Sequence, residues 1–174
     1  FKSNILGWSM GSHIALDLAA RYPDRVRTLT IVACYLYRPA RSAYILEYLA
    51  DGYADGTVSG GTVAKVLNVL LRNSGFFEEA ERKGRTIREI QPPDPTGFKN
   101  QMRAVNGYDA EKDARSIRVP TLSVHGLEDI MTEPSAGDEI SSVIKGCEKI
   151  RIPGEGHVLR RESYIPYVMV FIRH

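Results

Sequence analysis

Three residues of this chain, a serine, an acid and a histidine, have the types and settings needed to cleave an acyl bond. Ser9 lies in the pentapeptide Gly-Trp-Ser-Met-Gly at positions 7–11, Asp129 follows an apolar stretch, and His157 follows a glycine. A serine hydroxyl is a poor nucleophile at neutral pH, so it needs a base, and a histidine with its ordinary pKa of about 6.5 can take the proton. A carboxylate that holds the other ring nitrogen completes the set. The expected chemistry is attack on an acyl carbon, followed by hydrolysis of an acyl-enzyme.

The segments on either side of Ser9 predict a strand-to-helix turn. Residues 3–8 contain an apolar stretch of strand length, and residues 12–22 place apolar side chains at helical spacing. In such a turn glycines flank the serine, because a Cβ at Gly7 or Gly11 would collide with the neighbouring strand or helix. A G-x-S-x-G pentapeptide alone arises by chance in about one chain of this length in twenty. The assignment therefore depends on the flanking pattern.

The acid and the base follow two further predicted strands. Residues 119–126 predict a buried strand that a proline precedes and a glycine ends, and residues 149–152 predict another, with a glycine-containing loop and a last helix after it. Catalytic groups of parallel sheets collect at the carboxyl ends of strands. Glu128 stands next to Asp129 and could orient a histidine equally well, so it remains the alternative acid. His125 is expected to be structural.

These motifs together resemble the α/β-hydrolase family, and more specifically its members with a helical lid. The resemblance spans nearly the whole chain and rests on four segments, 7–11, 21–26, 119–129 and 153–157. It implies that Ser9 is the nucleophile, Asp129 the triad acid and His157 the general base, in the family's chain order of serine, acid and histidine.

The oxyanion of the tetrahedral intermediate needs backbone donors, and the first expected donor is the N–H of Met10, at the start of the helix after the serine. In the family the second donor comes from a loop after an earlier strand, often with a His-Gly motif. The only His-Gly pair here is His125-Gly126, which belongs to the acid strand. The chain is therefore expected to be catalytically incomplete, as a fragment that lacks the N-terminal half of the fold.

The predicted fold class is α/β, with a half of the hydrolase sheet from the nucleophile strand onward and an inserted all-helical lid. Residues 1–35 form the first part of the core, with the strand-to-helix turn at Ser9 and the next strand. Residues 36–107 form the lid, and residues 108–174 form the second part of the core, with the acid and histidine loops and the last helix. The expected strands are 3–8, 26–33, 121–125 and 149–152. The expected lid helices are 41–50, 62–72, 76–90 and 97–105.

Aromatic side chains near the serine and in the lid suit a pocket for a small apolar substrate. We expect Trp8, Tyr35 and Tyr37 to contact the substrate. The alternative for each lid aromatic is packing inside the lid, because large apolar residues at helical spacing usually pack.

Composition limits the other functional classes. The 174 residues carry a formal net charge of +2 with acids and bases interspersed, which gives no case for nucleic acid binding. No apolar tract is long enough to span a membrane, and the expected location is the cytoplasm. Cys34 and Cys147 fit structural thiols, and neither a metal nor another cofactor is expected.

Two functions remain open at this point. The first is a serine hydrolase that cleaves an ester, lactone or thioester through an acyl-enzyme. The second is a half-sheet fragment, not an enzyme by itself, that associates with a missing N-terminal segment or with a second copy. In that case the nucleophile strand lies at an exposed sheet edge, which invites pairing.

Overall fold

The computed structural model describes residues 1–88 and 90–173. Four strands are found in this part of the chain: β1 (Ser3–Trp8), β2 (Val26–Val32), β3 (Thr121–Gly126) and β4 (Glu148–Ile152). The helices are α1 (Met10–Arg21), α2 (Ala40–Asp55), α3 (Gly60–Leu71), α4 (Ser74–Arg82), α5 (Pro95–Asn106), α6 (Ala110–Ser116), α7 (Pro134–Val143) and α8 (Arg161–Phe171). A short 3-10 turn at Pro23–Arg25 leads into β2.

The strands form one parallel sheet in the order β1-β2-β3-β4, which confirms the predicted α/β fold class. Every residue of β3 is buried, including the polar residues Thr121, Ser123 and His125, as expected for a central parallel strand that is covered on both faces. In β1 only Gly7 is fully buried. Because all four strands run in the same direction, the loops after β1, β3 and β4 meet at one edge of the sheet.

The helices α2–α5 (residues 40–106) form an insertion between β2 and β3, which we call the helical insertion. Side-chain oxygens cap three of its helices: Ser59 accepts from the N–H of Thr62, Asn73 from that of Phe76, and Asp94 from that of Gly97. The insertion has its own apolar cluster, separate from the two that pack on the sheet, and its fully buried members are Leu46, Leu49, Ala50, Val58, Val63 and Phe98.

The predicted helix 76–90 is too long. α4 ends at Arg82, and Gly84 follows with a φ of 57°, a left-handed conformation that stops the helix and that glycine adopts without strain. Residue 89 of the predicted helix lies outside the described residues. The helix α6 was not predicted, because its seven residues include only two that are buried, Ala110 and Ala114.

Buried in β3, His125 makes the stability of the fold depend on pH. Its ring is fully buried against Gly137 of α7, where a Cβ would lie 2.5 Å from the Cε1 atom. Burial first, and then the positive charge of Arg151, lowers the pKa of His125 from 6.5 to about 4. Between these two pH values the unfolded chain binds a proton that the folded chain does not, so stability falls as the pH falls through this window.

We expect the titration of His125 to lower the free energy of unfolding by up to about 3 kcal/mol between pH 7 and pH 4. The measurement is urea unfolding of the parent and of His125→Leu at several pH values in that range. The variant lacks the titrating group, so its stability should fall less steeply with acid. Parallel curves for the two proteins would contradict the assignment.

Candidate active site

Ser9 occupies the sharp turn between β1 and α1. Its backbone has a φ of 53° and a ψ of −124°, a strained conformation for a residue with a side chain. The N–H of Ser9 donates to the carbonyl of Val32 at 2.8 Å, which holds the turn against β2. The turn leaves the serine hydroxyl outside the sheet, at the carboxyl edge of β1.

The two glycines of the pentapeptide differ, and this corrects the sequence-based expectation that both are required by close contacts. A Cβ on Gly7 would lie 2.6 Å from the Cα of Ser12 and 2.7 Å from the Cβ of Ala15, so a side chain has no room there. A Cβ on Gly11 would have no heavy atom within 4 Å among the described residues. Among the described residues, packing requires a glycine at position 7 but not at position 11.

The structure brings Ser9, His157 and Asp129 together in one line of hydrogen bonds. The distance from Ser9 Oγ to His157 Nε2 is 2.8 Å, and that from His157 Nδ1 to Asp129 Oδ2 is also 2.8 Å. Both His157 and Asp129 are buried, with 1% and 2% of their surface exposed. Because a carboxylate only accepts, the proton is assigned to Nδ1, which leaves Nε2 free to accept the serine proton.

A second pair of hydrogen bonds fixes the carboxylate of Asp129. Its Oδ1 atom accepts from the backbone N–H of Met131 at 2.9 Å and from that of Thr132 at 2.8 Å. The carboxylate therefore cannot rotate freely, and Oδ2 is directed at the imidazole. Such orientation of a base by a fixed acid is the geometry that proton transfer from a serine requires.

Glu128, the alternative acid, points elsewhere. Its carboxylate is near the hydroxyl of Ser74, at 3.3 Å, while its backbone N–H donates to the carbonyl of Glu155 at 2.9 Å. The structure thus places the neighbouring acid, and not Glu128, on the histidine. The role of either acid in catalysis stays a prediction.

The loop that carries His157, residues 153–160, is called the histidine loop below. Trp8 Nε1–H donates to the backbone carbonyl of His157 at 3.0 Å. The buried carboxylate of Glu155 accepts from the backbone N–H of Arg160 at 3.0 Å and from its Nε–H at 2.6 Å. Gly126 packs against this loop so closely that a Cβ would lie 2.6 Å from the carbonyl carbon of Glu155. The loop is therefore tied to β1, to β3 and to the start of α8.

Sequence reasoning assigned Trp8 only to substrate contact and missed its bond to the histidine loop. Its side chain is 41% exposed, and it is not among the described residues that line the cavity beside the serine. The pattern of the sequence carries no signal for this bond, because it joins residues 149 positions apart.

A small cavity of about 60 Å³ lies beside the serine. Its lining is mostly apolar and consists of Ser9, Met10, Tyr35, Arg38, Pro39, Ser42, Leu46, Met102, Val105, Met131 and Thr132. Tyr35 therefore reaches the cavity as expected, and burial raises its pKa to about 12, so its hydroxyl stays protonated at neutral pH. Tyr37 does not reach it: the residue is 58% exposed and its hydroxyl donates to Glu111.

Arg38 is a cavity residue that the sequence analysis missed. Only 12% of its side chain is exposed, and its Nη1 atom lies 3.1 Å from a carboxylate oxygen of Glu47. The cavity thus combines apolar walls with one guanidinium group.

Met10 is the first residue of α1, so its backbone N–H lies at the positive end of a 12-residue helix. This places the expected oxyanion donor next to Ser9. The role of this N–H as an oxyanion donor stays a prediction, and so does the expected lack of a second donor.

In residues 1–88 and 90–173, no group of three or more His, Cys, Asp or Glu side chains could hold a metal ion. Cys34 is a buried free thiol whose pKa burial raises to about 12, and Cys147 is a half-buried free thiol. None of the helices described is both long and apolar enough to cross a membrane.

The parallel sheet, with a strained serine turn at its carboxyl edge, defines an α/β protein in which Ser9 lies between a strand and the helix that follows it. The chain belongs to the alpha/beta hydrolase fold family, whose model matches residues 2–160.

Two curated relatives are pimeloyl-acyl carrier protein methyl ester esterases. The one from Nitrosomonas europaea is 25% identical over 170 residues, which cover 90% of this chain and 64% of that protein. The one from Neisseria meningitidis is 28% identical and is matched over 95% of this chain and 64% of its own length. The chain thus spans just under two thirds of the length of these two relatives.

Among solved structures, the enol-lactonase from Burkholderia xenovorans LB400 has a TM-score of 0.81. It is 20% identical, and the match covers 99% of this chain and 66% of that structure. At this identity the similarity shows the shared fold.

Proposed function

We propose that the chain carries the catalytic residues of a serine hydrolase that cleaves a small apolar ester, lactone or thioester through an acyl-enzyme. The observation that carries this proposal is the unbroken hydrogen-bond line from Ser9 Oγ through His157 to Asp129, whose last two members are buried. Relatives named as methyl ester esterases support a carboxylic ester as the substrate class.

The geometry supports a two-stage reaction. Ser9 Oγ attacks the carbonyl carbon while His157 Nε2 takes the hydroxyl proton, and the Asp129 carboxylate stabilises the imidazolium that results. The Met10 N–H donates to the oxyanion. His157 then gives the proton to the leaving oxygen or sulfur, and the acyl group stays on Ser9. A water molecule, deprotonated by the same nitrogen, hydrolyses this ester and restores the serine.

The cavity beside Ser9 supports a small acyl or alkyl group. Its volume of about 60 Å³ suits a few non-hydrogen atoms, and the helical insertion supplies Leu46 and Met102 as apolar walls. In this proposal the insertion acts as the lid that sets the size of the substrate.

The test is covalent labelling with a fluorophosphonate, which reacts with an activated serine. We expect one adduct per folded chain, located at Ser9 by peptide mass spectrometry, because only this hydroxyl lies on His157 Nε2. The control is the same protein unfolded in urea, in which the three residues are apart and no adduct should form. A folded chain that stays unlabelled would overturn the proposal.

A second candidate function, association through β1, is favoured by a separate observation. Within the described residues β1 pairs with β2 alone, and two of its apolar side chains are exposed, Leu6 at 43% and Trp8 at 41%. Such an edge can accept another strand, from a further segment or from a second copy. Sedimentation of the purified chain distinguishes the two candidates, since a stable monomer that labels at Ser9 contradicts the second.

A further inference from the structure

The turn between α3 and α4 lies directly against the histidine loop. The backbone N–H of Val158 donates to the carbonyl of Leu71 at 2.9 Å, and the side-chain amide of Asn73 donates to the carbonyl of Gly154. A Cβ on Gly156 would lie 2.7 Å from the backbone nitrogen of Asn73. The backbone of the helical insertion is therefore in direct contact with the loop that carries His157.

Asn73 uses both ends of its amide in this contact. Its Oδ1 atom accepts from the N–H of Phe76 at 3.1 Å and so caps α4, while its Nδ2 atom donates to Gly154. Serine or aspartate could cap the helix, but neither offers an amide donor in the same place. The residue type thus matches a position that needs an acceptor and a donor together.

The histidine loop needs such an anchor because its glycines give its backbone wide conformational freedom. Gly154 has a φ of 69°, and a second glycine, Gly156, immediately precedes the histidine. Glycines lose more conformational freedom on ordering than other residues. Trp8 holds the carbonyl of His157 from β1, and Asn73 holds the other side of the loop from the helical insertion.

We propose that Asn73 is a positioning residue of the active site: its amide holds the histidine loop so that His157 bridges Ser9 and Asp129. The catalytic part of this inference rests on the proposed function. The effect of Asn73 on the position of His157 does not, because it depends only on contacts within the fold.

Three variants separate the amide donor from the helix cap. Asn73→Asp and Asn73→Ser both keep an oxygen that can cap α4 and both remove the donor to Gly154. Ser59→Ala is the matched control: it removes the cap of α3, which accepts from Thr62 at 3.1 Å, without a contact to the histidine loop.

The first readout is the tautomer of His157, measured from its ring nitrogen shifts in ¹⁵N-histidine-labelled protein and assigned with His157→Gln. The parent should carry the proton on Nδ1, because this nitrogen faces Asp129. We expect the ratio of the Nδ1–H to the Nε2–H form to fall about fivefold in both Asn73 variants, as for loss of one ordinary hydrogen bond. It should not change in Ser59→Ala.

An unchanged ratio in both Asn73 variants would overturn the inference, and so would an equal fall in Ser59→Ala, since a general loosening of the insertion would then explain it. The second readout is the rate of fluorophosphonate labelling, which should fall by about the same factor. A parent chain that is not labelled at all contradicts the proposed function, while the tautomer ratio still decides the role of Asn73.

Discussion

Replacing Asp129 by asparagine is expected to lower kcat for ester hydrolysis by about 10⁴-fold while the chain stays folded. The reason is that the Oδ1 atom of Asp129 accepts hydrogen bonds from two backbone N–H groups, those of Met131 and Thr132. An asparagine would keep its oxygen on these donors and would turn its NH₂ group toward His157 Nδ1. That nitrogen would then have to accept, its proton would move to Nε2, and Nε2 could no longer take the proton of Ser9.

The measurement is steady-state hydrolysis of p-nitrophenyl acetate, with the fluorophosphonate labelling rate as a second scale. Glu128→Gln is the matched control, since it neutralises the adjacent acid, whose carboxylate contacts Ser74 instead of the histidine. It should keep activity close to that of the parent. If Glu128→Gln lost activity and Asp129→Asn kept it within about tenfold, the acid would be misassigned.

Replacing Gly7 by alanine is expected to lower the free energy of unfolding by about 4 kcal/mol. The new methyl group would overlap the carbonyl of Gly11, the Cα of Ser12 and the Cβ of Ala15. Backbone atoms cannot change rotamer to make room, so α1 would have to move away from β1. Gly11→Ala should instead raise stability by about 0.5–1 kcal/mol, since it adds a helix-favouring residue where space is open.

Urea unfolding followed by the fluorescence of Trp8, the only tryptophan of the chain, measures both effects. The comparison is internal, because the two substitutions add the same methyl group to the two glycines of one pentapeptide. If both substitutions lowered the free energy of unfolding equally, the methyl group at position 11 would have to contact atoms outside the described residues.

The sheet was largely predictable from sequence. β3 is a short uncharged segment between Pro120 and Gly126, and these two residues mark where the strand begins and ends. The ends of the helices within the helical insertion were less predictable. Periodicity extended α4 past Arg82 because the segment remains rich in helix-forming residues, whereas the left-handed Gly84 decides where the helix ends.

At the site, the sequence identified the residues that follow strand ends, and the structure places Ser9, Asp129 and His157 in contact. Parallel strands explain this, because their carboxyl ends share one edge. The contribution of Asn73 could not be predicted in this way. It meets Gly154 across 81 positions of sequence, and the contact exists only once α3 and α4 have packed on the sheet. Arg38 and the Trp8 N–H were missed for the same reason.

The separate apolar cluster of the helical insertion has a consequence for how such a protein can diversify. Leu46 belongs both to that cluster and to the wall beside Ser9, so a change there alters the cavity and the stability of the insertion together. Met131 packs against the same cluster, and its backbone N–H holds the carboxylate of Asp129. A substitution that resizes the cavity at Leu46 therefore also acts on the segment that orients the acid, so substrate size and the geometry of the hydrogen-bond line change together.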